Sequence, residues 1–398
     1  MDLIKADAEC VWHPFTQIKT AAAPIPIVRA FGSQLFHADG RTFIDAISSW
    51  WCNIHGHGHP HIVEAISKQA ALLDHVLFGG VTHPEAVRLA KRLLKLLPYE
   101  RVFYSDNGST AIEVALKMAL QYRLQSCMPQ GKIMALKGAY HGDTFGAMAA
   151  GRSPFHEPFW PLLFDVTFID PPYAGQEVDL TGVGIFIFEP LIQGAGGFHI
   201  YDLEALDHLL KRCKENNILT IADEVMTGFG RTGSLFVTDL LVNKPDFICL
   251  SKGLTGGTLP LAVTLTKERI FEGFISDLKS HAFLHGHTYT ANAIACAAAN
   301  ASLDLLLDPH CQKQRILINR HFTKLADEMR PFVKRTAVLG TIFIMESYKE
   351  DAFFLENGIF VRLLGDILYF MPPYCLKEEE LTYMCHIVRE SLDYVHLV

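Results

Sequence analysis

A lysine and an aspartate in the middle of the chain each follow an apolar run of strand length. Lys252 comes after the run DFICL and one serine, and Asp223 comes after the run ILTIA. Lysine amines form Schiff bases with aldehyde cofactors, and a carboxylate at the mouth of a buried strand needs a cationic partner such as a protonated pyridine nitrogen. Taken alone, Lys252 is more simply explained as a surface lysine at a turn, and Asp223 as a helix cap or half of a salt bridge.

Two further strand ends carry residues that suit a flat, phosphorylated ligand. Gly108 and Ser109 open a helix after RVFYSDN. Free backbone N–H groups at a helix start bind phosphate, and the hydroxyls of Ser109 and Thr110 add donors. Tyr140, in KGAYHGDTFGA after the run KIMAL, offers a ring for stacking on an aromatic cofactor. The structural alternatives are plain helix capping and a packed loop tyrosine.

The four features form a set, although each of them is weak by itself. A lysine, a carboxylate, a phosphate cradle and a stacking ring are what pyridoxal phosphate requires of a protein. NAD would require a GxGxxG loop after an early strand, and no early strand of this chain is followed by one. We therefore predict a pyridoxal-phosphate site.

The elements that must position these residues alternate between apolar runs and amphipathic segments from about residue 85 to 300. The runs are nearly continuous in hydrophobicity, which is typical of a mostly parallel sheet covered by helices on both faces. Such open α/β sheets bind ligands beyond the carboxyl ends of their strands. The predicted strands are 101–105, 132–136, 183–190, 218–224, 246–253 and 261–266, and the predicted helices are 84–97, 110–123, 203–217 and 291–307.

The two ends of the chain have a different character from the middle. Residues 1–50 are rich in loops, with a hairpin predicted at the turn Asp39-Gly40, and the stretch 50–60 looks too irregular for a helix or strand. Residues 301–398 combine helices with short strand-like pieces. We predict that 1–50 and 301–398 form one smaller α+β domain, and that 51–300 form the large cofactor-binding domain.

Composition limits the classes of partner. The 398 residues are 49% hydrophobic and 20% charged with a net charge of −8, so no basic stripe is available for nucleic acid. There is no secretory signal and no apolar run long enough for a membrane span, so we expect no membrane partner. Nine scattered cysteines without a CxxC pair favour a reducing cytoplasm. The histidines of 55–61 are spaced by glycine without a completing carboxylate or cysteine, so we predict no metal site.

A long motif carries a family resemblance. IADEVMTGFGRTG at 221–233, followed by LSKGLTGG at 250–257, resembles the cofactor signature of class III (omega) aminotransferases in the fold-type I pyridoxal-phosphate family. Segments from Trp12-His13-Pro14 to Met371-Pro372-Pro373-Tyr374, including the pair Trp50-Trp51, are most similar to the members that aminate 8-amino-7-oxononanoate in biotin synthesis. The resemblance implies a homodimer with shared active sites, and S-adenosylmethionine as the usual amino donor.

The resemblance also implies a role for each matching residue. Lys252 would hold the cofactor and move the proton, Asp223 would pair with the pyridine nitrogen, and Tyr140 would stack on the ring. The implied phosphate ligands are Gly108, Ser109 and, across the dimer, Thr288. The implied substrate-contacting residues are Phe15, Trp50, Trp51, Gly286, Arg362 and Tyr369, with Arg362 at the carboxylate of the oxo acid.

Three places depart from the family pattern. Phe15 stands where tyrosine is usual, His287 stands where proline usually precedes Thr288, and Leu363-Leu364 follow Arg362 where proline and an aromatic residue are usual. All three lie near the implied substrate pocket. The amino donor therefore stays open between S-adenosylmethionine and lysine.

Three alternative functions compete with this interpretation. Another class III aminotransferase, acting on ornithine or 4-aminobutyrate, is disfavoured by the doubled tryptophan and Arg362. A non-catalytic binding protein on the same fold would have lost the lysine or the aspartate, and neither is lost. A nucleotide-binding α/β protein would need a phosphate loop of Walker or Rossmann type, which the sequence lacks.

Overall fold

Helices and strands alternate along most of the chain, and the computed structural model describes residues 3–346 and 351–394. In this part of the chain the helices are α1 (Leu3–Cys10), α2 (Ser48–Trp51), α3 (Pro60–Leu72), α4 (Pro84–Leu96), α5 (Gly108–Gln125), α6 (Phe145–Gly151), α7 (Leu203–Glu215), α8 (Glu268–Glu272), α9 (Ala293–Leu306), α10 (Pro309–Met329), α11 (Ala352–Glu356) and α12 (Glu378–Glu390). The strands are β1 (Ile27–Phe31), β2 (Gln34–His37), β3 (Thr42–Asp45), β4 (Arg101–Ser105), β5 (Lys132–Leu136), β6 (Val166–Ile169), β7 (Val183–Phe188), β8 (Ile192–Gln193), β9 (His199–Ile200), β10 (Leu219–Asp223), β11 (Phe247–Leu250), β12 (Ala262–Thr266), β13 (Arg335–Leu339), β14 (Ile342–Glu346), β15 (Ile359–Phe360), β16 (Leu363–Leu364) and β17 (Ile367–Phe370).

The central sheet has seven strands in the order β4-β12-β11-β10-β7-β5-β6. All of them run parallel to one another except β12, which pairs antiparallel with both β11 and β4. The prediction of a mostly parallel sheet is therefore confirmed. The exception follows from the connection 251–261, which holds only a short 3-10 turn. A parallel neighbour would need a longer crossover, usually a helix.

The continuous hydrophobicity of the strands is explained by helices on both faces of the sheet. All six residues of β7 are buried. Ile185 and Ile187 pack on one side into a core with α5, while Phe186 and Phe188 pack on the other side with α7. A strand covered on both faces has no solvent side, so its sequence does not alternate.

The parallel direction of the strands decides where the predicted site residues meet. β4, β5, β7, β10 and β11 end at the same edge of the sheet. The residues that follow those ends come from points far apart in the sequence. This edge is therefore the structural basis of the site.

Segments from the two ends of the chain pair with each other. β15 adds in parallel to β3 and completes a sheet of order β1-β2-β3-β15. The predicted hairpin at Asp39-Gly40 is confirmed, since β2 and β3 pair antiparallel around it. A second antiparallel sheet has the order β13-β14-β17-β16. The boundaries near residues 50 and 300 stay a prediction. The sequence also predicts a strand-like piece over 340–347 and a final helix over 378–395, and their last residues, Ser347 and Val395, lie outside the described residues.

The stretch 50–60 is predicted to be irregular, but in the structure it begins inside a helical turn. Trp50 and Trp51 belong to the one-turn helix α2, whose interior residues Ser49 and Trp50 have non-helical φ of 52° and 112°. Tertiary hydrogen bonds hold this turn, as described below, and they leave no signal in local sequence.

Two further observations concern the chain as a whole. No helix in residues 3–346 and 351–394 combines the length and apolar character needed to cross a bilayer. The nine cysteines are all free thiols.

Gly340 lies in the turn between β13 and β14, and it tests how closely that turn packs against the loop that follows β10. Its φ is 57°, and an added methyl group would lie 2.3 Å from the backbone nitrogen of Gly233. We expect Gly340→Ala to lose about 1–2 kcal/mol for the left-handed backbone and a further ~1–3 kcal/mol for overpacking. Gly365→Ala is the matched control, because its φ is 63° and nothing lies within 4 Å of the added methyl. Chemical denaturation of both variants measures the difference, and equal losses would contradict the packing described here.

Candidate active site

A cavity of about 670 Å³ opens at the carboxyl edge of the central sheet. It brings together six of the residues predicted from the sequence, which come from five separate segments of the chain. They are Trp51, Gly108, Ser109, Tyr140, Asp223 and Lys252. The sheet's strand ends therefore converge as predicted for an open α/β fold.

Lys252 begins the short turn Lys252–Thr255 directly after β11, with φ at 46°. Its Nζ lies 4.5 Å from the centre of the Trp51 ring. Enclosure lowers the pKa of Lys252 below its ordinary value, and the carboxylates of Asp223 and Glu189 partly oppose this effect. A lowered pKa leaves more of the amine neutral near neutral pH, which is the form that acts as a nucleophile and base.

Asp223 ends β10 and is buried. Its Oδ2 lies 2.8 Å from Nδ1 of His141, and its Oδ1 accepts a hydrogen bond from the backbone N–H of Val225 at 3.0 Å. Because an ionised carboxylate only accepts, the proton of this pair lies on Nδ1 of His141. The buried Nε2 of His141 has no protein partner among the described residues. The pair holds a buried carboxylate in a fixed orientation at the cavity wall.

His141 and Glu189 are site residues that sequence reasoning missed. Glu189 comes one residue after β7, is buried and lines the cavity. Burial raises the pKa of Glu189 to about 7, with His141 opposing the rise and Asp223 adding to it. The signal that could have found both residues is the one used for Asp223, a polar side chain just beyond a strand end.

The start of α5 forms the predicted phosphate cradle. The Asn107 side chain accepts a hydrogen bond from the backbone N–H of Thr110, and the Thr110 hydroxyl donates to the Asn107 carbonyl. The expectation that Thr110 offers a free hydroxyl is therefore wrong, because the helix cap uses it. The Ser109 hydroxyl lies 2.7 Å from that of Thr144. The N–H groups of Gly108 and Ser109 have no acceptor inside the helix and remain for a ligand.

Glycine is required at the cradle by the close approach of a neighbouring side chain. A Cβ on Gly108 would lie 2.7 Å from Cγ1 of Val225, the second residue after Asp223. The turn after Asp223 and the start of α5 are therefore in direct contact. This contact links the predicted phosphate cradle to the carboxylate predicted for the pyridine nitrogen.

Two side chains, Asp143 and His156, hold Tyr140 in place. Its hydroxyl donates to Oδ2 of Asp143 at 2.9 Å, and Oδ1 of Asp143 lies 2.9 Å from Nε2 of His156. The Tyr140 ring stacks on the His156 ring, with centroids 5.8 Å apart and 23° between the planes. Burial raises the pKa of Tyr140, so the phenol stays protonated. These contacts fix the flat ring of Tyr140 at the cavity wall.

Aromatic residues extend from the cavity toward solvent. Trp51 contacts Tyr369 at 5.9 Å between ring centres, and Trp50 contacts Phe15 at 5.8 Å. The exposed guanidinium of Arg362 lies 5.7 Å from the Trp50 ring. Of these, only Trp51 lines the cavity itself. The predicted substrate residues thus include two aromatic pairs on adjacent tryptophans, and the outer pair lies next to a cation.

The turn that carries the two tryptophans has an unusual backbone. Ser48, Ser49, Trp50 and Trp51 all have positive φ, which is costly for residues with a side chain. The buried carboxylate of Asp45 compensates by accepting hydrogen bonds from the Ser49 N–H at 2.9 Å and its hydroxyl at 2.7 Å. His57 Nε2 lies 2.8 Å from Oδ2 of that carboxylate, the oxygen that also accepts the Ser49 hydroxyl.

Arg231 also stabilises the turn that carries the two tryptophans. Its fully buried guanidinium donates to Ser48 Oγ at 2.9 Å, to the Trp51 carbonyl at 3.3 Å and to the Pro372 carbonyl at 2.6 Å. Arg231 belongs to the GFGRTG part of the signature, so one side chain joins the signature loop, the tryptophan turn and a C-terminal loop.

Gly286 and Thr288 lie outside the cavity and are exposed in the single chain. Nε2 of His287 lies 3.3 Å from Nε2 of His285, and its Nδ1 lies 3.8 Å from the carboxylate of Asp106. The roles of Gly286 and Thr288 across a dimer stay predictions.

The residues of the cavity fit pyridoxal phosphate. They offer an amine for its aldehyde, a buried carboxylate for its pyridine nitrogen, helix N–H groups for its phosphate and a flat ring for its face. The histidines of 55–61 have other partners, since His55 lies 3.1 Å from Ser302 and His61 lies 2.9 Å from Asp304. No group of three or more metal-ligating side chains occurs within the described ranges.

Comparisons with known proteins place this site in a family. The profile of the family Aminotransferase class-III matches residues 16–392. An adenosylmethionine-8-amino-7-oxononanoate aminotransferase from Synechococcus elongatus is 46% identical over 96% of this chain and 98% of the relative. The crystal structure of the enzyme of that name from Methanocaldococcus jannaschii superposes with a TM-score of 0.93 at 34% identity, covering 99% of each chain.

A more distant structure carries the cofactor. An amine transaminase from an uncultivated Pseudomonas species, in its PLP-bound form, superposes with a TM-score of 0.86 at 26% identity over 97% of this chain and 98% of that one. The family match over nearly the whole chain and the fit of the cavity agree. The chain belongs to the class III aminotransferases, and its cofactor is pyridoxal phosphate.

Proposed function

We propose that the protein transfers an amino group to 8-amino-7-oxononanoate to give 7,8-diaminononanoate in biotin synthesis, with S-adenosylmethionine as donor. The observation that carries the proposal is that the adjacent residues Trp51 and Trp50 contact Lys252 and Arg362, respectively. The substrate has a ketone and an amine at one end, an apolar chain, and a carboxylate at the other end. An enclosed amine, an aromatic surface and an outer cation match those three parts in order.

Relatives support the same activity. The Synechococcus elongatus and Methanocaldococcus jannaschii proteins both carry the name of the 8-amino-7-oxononanoate enzyme. The decisive experiment compares two reactions of the purified protein: amination of 8-amino-7-oxononanoate with S-adenosylmethionine as donor, and transfer of the amino group of ornithine or 4-aminobutyrate to a 2-oxo acid. Faster turnover of either rival would overturn the proposal.

In the mechanism, each residue acts on a defined atom. Bound pyridoxal phosphate supplies an aldehyde that joins to the substrate amine and a ring that accepts electrons from it. Lys252 Nζ removes the proton from the amine-bearing carbon and delivers a proton in the return half of the cycle. The Asp223 carboxylate keeps a proton on the pyridine nitrogen, and the N–H groups of Gly108 and Ser109 bind the phosphate.

The amino donor is the finer part of the proposal. Phe15 packs edge-on against Trp50 and against Phe155, at 5.8 Å and 5.7 Å between ring centres. Its ring offers no hydroxyl for a hydrogen bond, so it favours a donor that contacts this side through apolar or cationic groups. Direct comparison of S-adenosylmethionine with lysine as donor tests this point.

Lys252 provides the first prediction from the site. Lys252→Ala should lower turnover by at least about 10³-fold, because none of the other described residues that line the cavity has an amine to move the proton. Lys211→Ala, at an exposed helical position, is the control and should keep full activity. Near wild-type transamination by Lys252→Ala would exclude the proposed role.

His141 provides the second prediction. His141→Leu removes a charge-assisted hydrogen bond from Asp223, which costs about 1.5–3 kcal/mol, or roughly tenfold or more in cofactor affinity. His141→Asn keeps a donor near the position of Nδ1 and should lose much less. Fluorescence titration of each apoprotein with pyridoxal phosphate gives the dissociation constants. Equal affinity for the two variants would show that the hydrogen bond does not matter.

We also propose a homodimer with shared active sites, located in the cytoplasm. Exposure of Gly286 and Thr288 outside their own cavity is consistent with their acting in a partner subunit. The free state of all nine cysteines is consistent with a reducing compartment.

Mixing two inactive variants tests the shared site. Lys252→Ala and Thr288→Asp should each be inactive alone, the second through repulsion of the phosphate. Random subunit exchange should restore about a quarter of wild-type activity, since half the dimers are mixed and each has one intact site. No recovery, with mixed dimers verified by mass spectrometry, would mean that each chain serves its own site.

A further inference from the structure

Glu189 connects two neighbouring loops that both line the cavity. Its Oε1 accepts a hydrogen bond from the backbone N–H of Tyr140 at 3.0 Å. Its Oε2 accepts one from the backbone N–H of Gly194 at 2.8 Å. Both oxygens of one buried carboxylate are therefore used, each by a different loop.

The two loops carry different walls of the cavity. The first loop presents the Tyr140 ring. The second loop packs against Trp51, since a Cβ on Gly194 would lie only 3.2 Å from Cζ3 of that ring. The distance between these walls sets the width of the slot available to a flat cofactor.

Contacts away from the cavity keep the same two loops close. Gln193 Nε2 donates to the Lys137 carbonyl at 2.8 Å. A Cβ on Gly196 would lie 2.0 Å from the carbonyl oxygen of Gly138, so the backbones touch there. Glu189 is the member of this contact that faces the cavity.

We propose that Glu189 is the positioning residue that holds the Tyr140 and Trp51 walls at a fixed separation, and that it does so only as a carboxylate. An ionised carboxylate accepts both N–H groups equally well, whereas the hydroxyl oxygen of a protonated one is a weaker acceptor. Protonation of Glu189 therefore weakens its hold on one loop and loosens the slot.

The groups around Glu189 place its change of protonation near neutral pH. Burial raises the pKa of Glu189 to about 7, with Asp223 raising it and His141 and the two N–H groups lowering it. The Lys252 amine and the phenols of Tyr140 and Tyr201 complete the titratable groups around it. Above about pH 7 the carboxylate is ionised and the slot is held, and below that pH it is not.

Cofactor binding to the apoprotein tests the inference without any substrate. It rests on the cofactor and not on the proposed oxo acid, so it can fail or hold independently of that proposal. Glu189→Gln should bind pyridoxal phosphate about tenfold more weakly than wild type at one pH unit above the pKa of Glu189. One unit below it, the two proteins should bind alike, because the wild-type residue is then also neutral.

Glu113→Gln is the matched control. Glu113 also accepts two backbone N–H groups, from Gly146 at 2.7 Å and Ala147 at 3.2 Å, but it does not line the cavity. Its replacement should not change the pH dependence of cofactor binding. A deficit of Glu189→Gln that is the same at both pH values, or absent at both, would overturn the proposal.

A measurement on the wild-type protein tests the role of Glu189 even if Glu189→Gln does not fold. Hydrogen exchange of the apoprotein, corrected for intrinsic rates, should show the Tyr140 and Gly194 amides better protected above the pKa of Glu189 than below it. The Gly146 and Ala147 amides should show no such change. Protection of Tyr140 and Gly194 that is independent of pH would contradict the role of the carboxylate.

Discussion

The enclosure of the Lys252 amine between the carboxylates of Asp223 and Glu189 is the interaction on which the site depends. Removing these groups from water disfavours every charged form, and each therefore needs a partner. Asp223 has His141, and Glu189 has two backbone N–H groups. Burial outweighs the attraction of the two carboxylates, so the pKa of Lys252 falls and the neutral amine is available for chemistry.

A second constraint is the shape of the wall opposite this charge cluster. The tryptophan turn holds four consecutive positive φ values, so its conformation must be stabilised by other parts of the chain. Asp45 and Arg231 provide this stabilisation from an N-terminal strand and from the signature loop. The aromatic surface is thus fixed in place by side chains that never touch a ligand.

The sequence made much of the fold and part of the site predictable, for identifiable reasons. Strands buried on both faces give continuous apolar runs, so β7 and β10 could be located within two residues and β11 within three. Parallel strands share one carboxyl edge, so Lys252 and Asp223 could be expected to meet there. The antiparallel direction of β12 was not visible, because strand direction depends on the path of the connection and not on local hydrophobicity.

The sequence by itself determined the chemistry, through the type of residue at each strand end and the family signature around Lys252. Only the tertiary structure decided which groups act together. His141 and Asp223 are 82 positions apart, and Glu189 reaches Tyr140 across 49 positions, so no local spacing encodes either contact. It also decided that the Thr110 hydroxyl serves the helix cap. Hydrogen-bond partners and burial are properties of the folded chain, and they set the charge state on which this site relies.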